Sequence, residues 1–338
     1  MTSLPHQQAG PRTASAAGPT LILWAYAIPI AAIHALALLV LVPWLFSWSG
    51  ALLGVLGVHL FGNLGINLGY HRLLSHRSFR TPQWLERTFV VIALCCLQDT
   101  PIRWVATHRL HHNHADGPED PHSPLQNFLW GHMGWLFRRS PTLHDVFVYQ
   151  RFARDLMVDP FYLYLEKRPW LSGTVYLFHA LGFFLVGAAA GWLFTGSPAA
   201  GLQLGLSWLV WGVIARTVAV WHITWSVNSL THLFGYRTYA TDENSRNNWL
   251  VALLSAGEGW HNNHHWDPAS ASVQHRWWEI DFSYYTIRTL ERVGLARDVV
   301  RTRHVRRQAA PPAELATKSE LAATAELVAT GEVHQQQP

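Results

Sequence analysis

The sequence predicts an all-α integral membrane protein in which four transmembrane helices carry a polar helical cap on one side. Three observations lead there. Apolar residues make up 49% of the chain and charged residues only 14%, against roughly a quarter in a typical soluble domain. Four apolar runs are each long enough, at about 20 residues, to cross a bilayer. The histidines, 21 in all, gather in short groups in the polar segments next to those runs.

Residues 1–18 are polar, contain Ala, Gly and Pro, and are expected to be disordered. The first apolar run, Thr20–Phe46, has no charge. It is too long for the core of a cleaved leader and its flank is barely basic, so it is read as a span. After the link Ser47–Gly50, a second span covers Ala51–Tyr70 and runs directly into His71. Residues 85–97 are apolar but too short to cross, and are expected to lie in the interface or pack on the core. A long polar stretch follows to about Trp170, then the third and fourth spans, Gly173–Phe194 and Leu202–Val220, joined by Thr195–Ala200. Residues 19–305 read as one domain, and 306–338 as an Ala/Glu/Pro-rich tail with no packing pattern.

Charge distribution sets the orientation. The links Ser47–Gly50 and Thr195–Ala200 hold no Lys or Arg, whereas the segments after spans two and four hold many. Both polar segments are therefore expected on the cytoplasmic side, together with both termini. Arg216 falls near the end of span four. A membrane boundary just before it is the favoured reading, with pairing inside the bundle as the alternative. The net charge of +4 does not mark a nucleic-acid binder, because the basic residues are spread through the loops. The two cysteines, Cys95 and Cys96, are adjacent in an apolar run, which excludes a disulfide framework and a thiolate metal site.

Four histidine groups stand at the ends of the spans. His71 and His76 are five apart, a spacing that brings them together only if the helix ends between them. His108, His111 and His112 are spaced i, i+3, i+4, which places three imidazoles on one helix face. Asn228 and His232 are i, i+4. His261, His264 and His265 repeat the triad. Any one group has a bland reading; together, on one side of the membrane, they indicate a metal site. Nine imidazoles exceed what one ion can hold, and two ions with four or five nitrogens each fit the count. Imidazole suits iron, copper, zinc and nickel, and a redox pair of irons beside a membrane suits oxygen activation on an apolar substrate. A carboxylate-bridged pair would call for Glu-x-x-His on bundle helices, and the spans contain none.

The segments HRLLSH, HRLHHNHADGPEDPHSP, NSLTH and GEGWHNNHH resemble the histidine boxes of membrane fatty-acid desaturases, in the Δ9 or stearoyl-CoA desaturase-like branch. The resemblance runs from about Ala51 to Val300. It implies that His71, His76, His108, His111, His112, His232, His261, His264 and His265 bind two irons and that Asn228 holds a water on one of them. It also implies a four-span fold with a cytoplasmic cap over the metals, and a bacterial inner membrane as location. Asp116, Asp120 and Glu258 are candidates to orient ligand imidazoles through the far ring nitrogen. His114, His122, His132, His144 and His275 lie off the ligand spacings and read as supporting or surface residues.

The same resemblance suggests a kinked tunnel that bends an acyl chain at the metals, with Gln98, Trp104 and Thr224 at the bend. Two departures stand out. Animal acyl-CoA enzymes carry an Arg-Asp pair where this chain has Ala106 and Thr107, which moves the chain toward bacterial enzymes, some of which act on glycerolipids. Span two also carries His59, Asn63, Asn67 and His71 at successive i, i+4 steps, one polar stripe descending into the bilayer. His59 and Asn63 are candidates to limit chain length or meet a polar tail group; interhelical hydrogen bonding is the plainer reading. The expected reaction is O2-dependent removal of two hydrogens to give a cis Δ9 alkene. No dinucleotide, haem or fused cytochrome motif is evident. A ferredoxin or cytochrome b5-like donor with its reductase is therefore expected, steered by the basic face. The rival readings are a histidine-box hydroxylase of an alkyl substrate and, from another class, a non-catalytic membrane metal-binding protein.

Overall fold

The computed structural model describes residues 21–140, 143 and 146–309. The expected disordered segment 1–18 lies outside the described residues, as does the 306–338 tail beyond a short helix, Arg303–Ala309. Helices account for the architecture, and no strand occurs among the described residues.

Four helices are long and apolar enough to cross a membrane: Trp24–Leu41, Trp48–Ser75, Trp170–Thr195 and Pro198–Leu233. They are called spans one to four below. Span one is shorter than the run Thr20–Phe46. Pro43 lacks an N–H and forces Val42 into an extended conformation (φ −84°, ψ 111°), which ends the helix. Ser47 caps span two, its Oγ accepting from Gly50 N at 3.0 Å. The same hydroxyl meets Ser207 Oγ at 2.6 Å and ties the two hairpins together. Spans three and four turn through Gly196 (φ +69°). They pack backbone to backbone, because a Cβ on Gly187 would stand 3.0 Å from Gly205 Cα.

Span four continues past Val220 to Leu233, and Arg216 is paired inside the bundle, the alternative weighed for it. Arg216 is 1% exposed inside the bundle. Its guanidinium donates to Cys95 O at 3.0 Å and lies 4.3 Å over the Phe61 ring. Backbone carbonyls and an aromatic face thus hold the cation inside the bundle. The apolar segment 85–97 becomes helix Gln83–Leu94, packed on span two: a Cβ on Gly65 would stand 2.7 Å from Ala93 N.

The polar segments form one cap. Between spans two and three it contains Pro101–His114, Phe128–His132, Val146–Phe152, Arg154–Met157 and Pro160–Glu166. After span four it contains Trp249–Leu254, His261–Trp266, Phe282–Arg292 and Arg303–Ala309. One buried cluster runs from Phe61 and Ile66 of span two through Val105 and Leu110 of the cap to Ile287, so cap and bundle share a core.

Candidate metal centre

Each histidine group is set by local structure. Beyond Val58, span two is wound as a π-helix, and His76 N donates to His71 O at 3.1 Å. The wider turn brings residues five apart onto one side, and the helix ends at Ser75, so the His71 and His76 rings stand 4.9 Å apart. Thr100 caps the helix Pro101–His114, which presents His108, His111 and His112. His232 comes from the last turn of span four. The asparagines of the last box hold its short helix in place. Asn262 Oδ1 accepts from Thr238 N and Tyr239 N at 2.7 and 2.8 Å, and Asn263 Nδ2 donates to Glu279 Oε2 at 2.8 Å.

The nine imidazoles converge and divide into two sets. Ring nitrogens of His71, His76, His108, His112 and His264 lie within 4.8 Å of one another, as do those of His111, His232, His261 and His265. Nε2 atoms face each other at 2.7 Å (His76, His108), 2.9 Å (His112, His264) and 3.1 Å (His71, His264) in the first set. In the second set, His111 Nε2 and His232 Nε2 are buried without any hydrogen-bond partner. Buried polar atoms are ordinarily paired, so these lone pairs with nothing to meet fit a bound cation on the second set, and the converging Nε2 atoms of the first set could hold another. Five and four nitrogens match the division expected from the count.

Carboxylates stand behind the rings. Glu258 Oε2 lies 3.0 Å from His71 Nδ1, Asp120 Oδ2 3.0 Å from His111 Nδ1, and Asp116 Oδ2 2.9 Å from His232 Nδ1. Each acid accepts from Nδ1–H and leaves Nε2 bare. The sequence reading missed two contributors. Glu243, distant in sequence, lies 3.7 Å from His265 Nδ1. Arg72, inside the first box, is 1% exposed and joins Glu258 (2.9 Å) to Asp281 (2.9 Å). Glu258 and His261 do have the Glu-x-x-His spacing, but Glu258 precedes a short cap helix and binds His71 and Arg72 rather than bridging a pair.

The electrostatics keep the set ready for a cation. Burial first, then repulsion from neighbouring imidazoles, holds His76, His108, His112, His261, His264 and His265 well below the usual histidine range, hence neutral. Burial acts on His111 in the same direction, but Asp120, joined by Asp116 and Glu243, outweighs it and the value is raised. Burial would lift Glu258, yet Arg72 and His71 hold it below the usual carboxylate range.

The remaining histidines separate. His122 is buried, 3.6 Å from Asp120 Oδ1, and so supports the site. His132 is buried and bonds Ser229 Oγ (2.9 Å) and His222 (2.9 Å). His275 meets the Tyr239 hydroxyl at 2.8 Å and His114 approaches Glu119 at 3.4 Å, both away from the clusters. His144 lies outside the described residues.

Two cavities meet at the imidazole clusters. The larger, about 560 Å³, reaches from His108 and Asn228 outward past Gln98, Arg103 and Thr107 to the first turns of spans one and three. The smaller, about 50 Å³, runs from His71 and His261 along span two past Asn67 and Asn63 to His59. Trp104, His108, Thr224 and Asn228 line both. Gln98 Nε2 donates to Thr224 Oγ1 at 2.9 Å, and Trp104 Nε1 approaches Gln98 Oε1 at 3.4 Å, so these three side chains form one bonded corner. Asn63 Oδ1 accepts from Ser283 Oγ at 2.7 Å and Asn67 Nδ2 donates to Ser255 O at 2.7 Å, so much of the stripe also binds the cap.

Residues 43–291 match the family model described as "Fatty acid desaturase". The chain is similar to a sn-1 stearoyl-lipid 9-desaturase of Anabaena variabilis, with 42% identity over 82% of this chain and 94% of that protein. A sn-2 palmitoyl-lipid 9-desaturase of Nostoc sp. (strain 36) shares 42% identity over 82% of this chain and 90% of its own length. An acyl-CoA 5-desaturase of Anemone leveillei shares 40% over 76% of this chain and 74% of its own. With the family model covering most of the chain and relatives above 40% identity over most of its length, the chain belongs to the fatty acid desaturase family.

Proposed function

We propose that this enzyme desaturates a saturated acyl chain carried on a membrane glycerolipid, giving a cis Δ9 bond. The observation that carries the reading is the corner where both cavities turn. Trp104, Thr224 and Asn228 line it beside His108, and the Trp104 ring stacks on the His108 ring of the five-imidazole set, with centroids 5.1 Å apart. The relatives named as acyl-lipid 9-desaturases support the carrier and the position. So does the lack of charge at Ala106 and Thr107.

Two irons suit the two imidazole sets, and when bound they supply the oxidising power that an unactivated C–H bond requires. The chain's residues do the rest. The nine imidazoles offer Nε2 ligand atoms, Asn228 would hold a water beside them, and Asp116, Asp120 and Glu258 fix the ring tautomers. Gln98, Trp104 and Thr224 hold the bend that presents adjacent carbons to the centre. His59 and Asn63, at the far end of the smaller cavity, set how much chain extends beyond the bend. Buried walls such as Ile66, Val220 and Trp221 exclude water from the path.

Overall, one saturated chain, O2, two electrons and two protons give one alkene and two waters. The electrons come from an external ferredoxin or cytochrome b5-like donor, docked on a cap that faces the cytoplasm. Residues 19–305 act as the single catalytic domain. Purified protein in lipid vesicles, supplied with donor and reductase, tests this. O2-dependent appearance of a Δ9 monoene on one glycerol position is expected, and turnover of stearoyl-CoA with none of vesicle lipid would refute the carrier.

A further inference from the structure

The outer end of the larger cavity lies between two membrane spans. Leu23, Tyr26, Pro29 and Ile30 line it from span one, and Trp170 and Gly173 from span three. Span one packs little of its surface against the rest of the protein. Helix Trp24–Ala37 buries one residue, Ile30, and only 6% of the span is buried inside the protein, against 56% of span four. Pro29 interrupts it at the cavity wall, removing a backbone hydrogen bond and leaving a natural bending point.

The polar ties fall on either side of that proline. Beyond it, His34 Nε2 meets His222 Nε2 of span four at 3.1 Å, with His34 Nδ1 on Ile30 O at 2.7 Å. Before it, Tyr26 donates to Asp99 Oδ2 at 2.6 Å and accepts from Arg103 Nη1 at 3.1 Å. Leu23 N donates to Phe137 O at 2.9 Å, and Ile22 bridges Arg138 in antiparallel fashion. The outward faces of Leu21, Trp24 and Ile28 are more than half exposed, as a lipid-facing segment would be.

We propose that residues 21–28 form a door in the wall of the larger cavity, hinged at Pro29 and latched by Tyr26 on Asp99 and Arg103. A bilayer lipid passes one acyl chain sideways through it. His34 and His222 hold the rest of span one fixed. The ring of Tyr26, Asp99, Arg103 and Ser172 meets the glycerol end of the lipid at the mouth. This rests on the acyl-lipid reading above and adds the route and the moving part.

A disulfide across the door tests it. Ile22 and Arg138 are bridge partners. Paired antiparallel residues have Cα atoms about 4.5–5.5 Å apart, within disulfide reach. The native thiols do not compete, because burial pushes Cys95 up to about 11 and Cys96 up to about 12. Ile22→Cys/Arg138→Cys enzyme is oxidised, reconstituted in distearoyl phosphatidylglycerol vesicles and assayed, with the cross-link verified by mass spectrometry afterwards. Lipid turnover is expected to fall on the order of tenfold or more and to return on reduction, while oxidised single variants are unaffected. Equal lipid turnover by linked and reduced enzyme would overturn the door and leave the acyl-lipid reading standing. Reduced enzyme active on stearoyl-CoA but not on vesicle lipid would instead overturn that reading. The second variant is Tyr26→Phe, which removes the latch alone. Amide exchange over residues 21–28 is expected to rise while 30–37 stays unchanged, and no rise would overturn the latch.

Discussion

Replacing Asp120 by Asn probes the site through one atom. Asp120 Oδ2 accepts from His111 Nδ1 at 3.0 Å and from Asp116 N at 2.7 Å, and Oδ1 accepts from His122 N at 3.0 Å. An amide supplies one acceptor oxygen, so its NH2 must face a donor that the carboxylate satisfied. Either a buried N–H is left unpaired, at about 1–3 kcal/mol, or His111 turns over its tautomer and points Nε2–H at the cation. Loss of such a partner costs about 10–100-fold in metal affinity, or roughly 1.4–2.7 kcal/mol. The damage falls on the four-imidazole set, because Asp120 touches none of the other five. Elemental analysis with chelator competition reads it: Asp120→Asn should release one of two ions at lower chelator concentration and keep the other. Retention of both ions with an unaltered chelator profile would refute the assignment of Asp120 to His111 and of His111 to a metal.

Three further predictions follow from the same geometry. Arg72→Met should lower unfolding stability by about 3–5 kcal/mol, since it strands Glu258 and Asp281 in the core; thermal melts of the metal-free protein check this. Asn63→Ala removes the bond to Ser283 toward the far end of the smaller cavity and should lengthen the favoured acyl chain; an unchanged product profile sinks that role. Burial holds His122 at about 3 and His132 at about 4, below the unfolded value of about 6.5. The unfolded state therefore takes the proton first as pH falls. These two residues leave stability intact above about 6.5 and erode it below, by up to about 1.4 kcal/mol per pH unit for His122 and by less for the more solvent-screened His132. A melting temperature that rises on acidification from pH 6.5 would contradict this.

How much could be read in the chain follows from range. Two HxxHH triads are legible because the i, i+3, i+4 face is local, and the apolar spans are legible because hydropathy is. The acids Asp116 and Asp120 could be named because they directly follow the second box. Glu243 could not, because only the tertiary fold brings its loop 3.7 Å from His265. Arg72 was hidden between two ligand candidates, and its partner Asp281 lies far along the chain. The end of span one at Pro43 was a local signal outweighed by unbroken apolarity. The enclosure of Arg216 was not legible because hydropathy does not register the carbonyl oxygens and aromatic ring that the fold brings around it. The five-residue spacing of His71 and His76 matches the π-winding that unites them, but on a regular helix it reads only as a helix end.

The central claim is that this chain desaturates acyl lipids at an imidazole-held metal pair. Its most direct test is expression in a host that lacks this activity, with a suitable electron donor, followed by mass spectrometry of fatty-acid methyl esters sorted by lipid class, with His111→Ala as control. A new cis Δ9 monoene in glycerolipids, absent in the control, is the predicted result. Hydroxylated chains, or no new product with the donor present, would contradict the account.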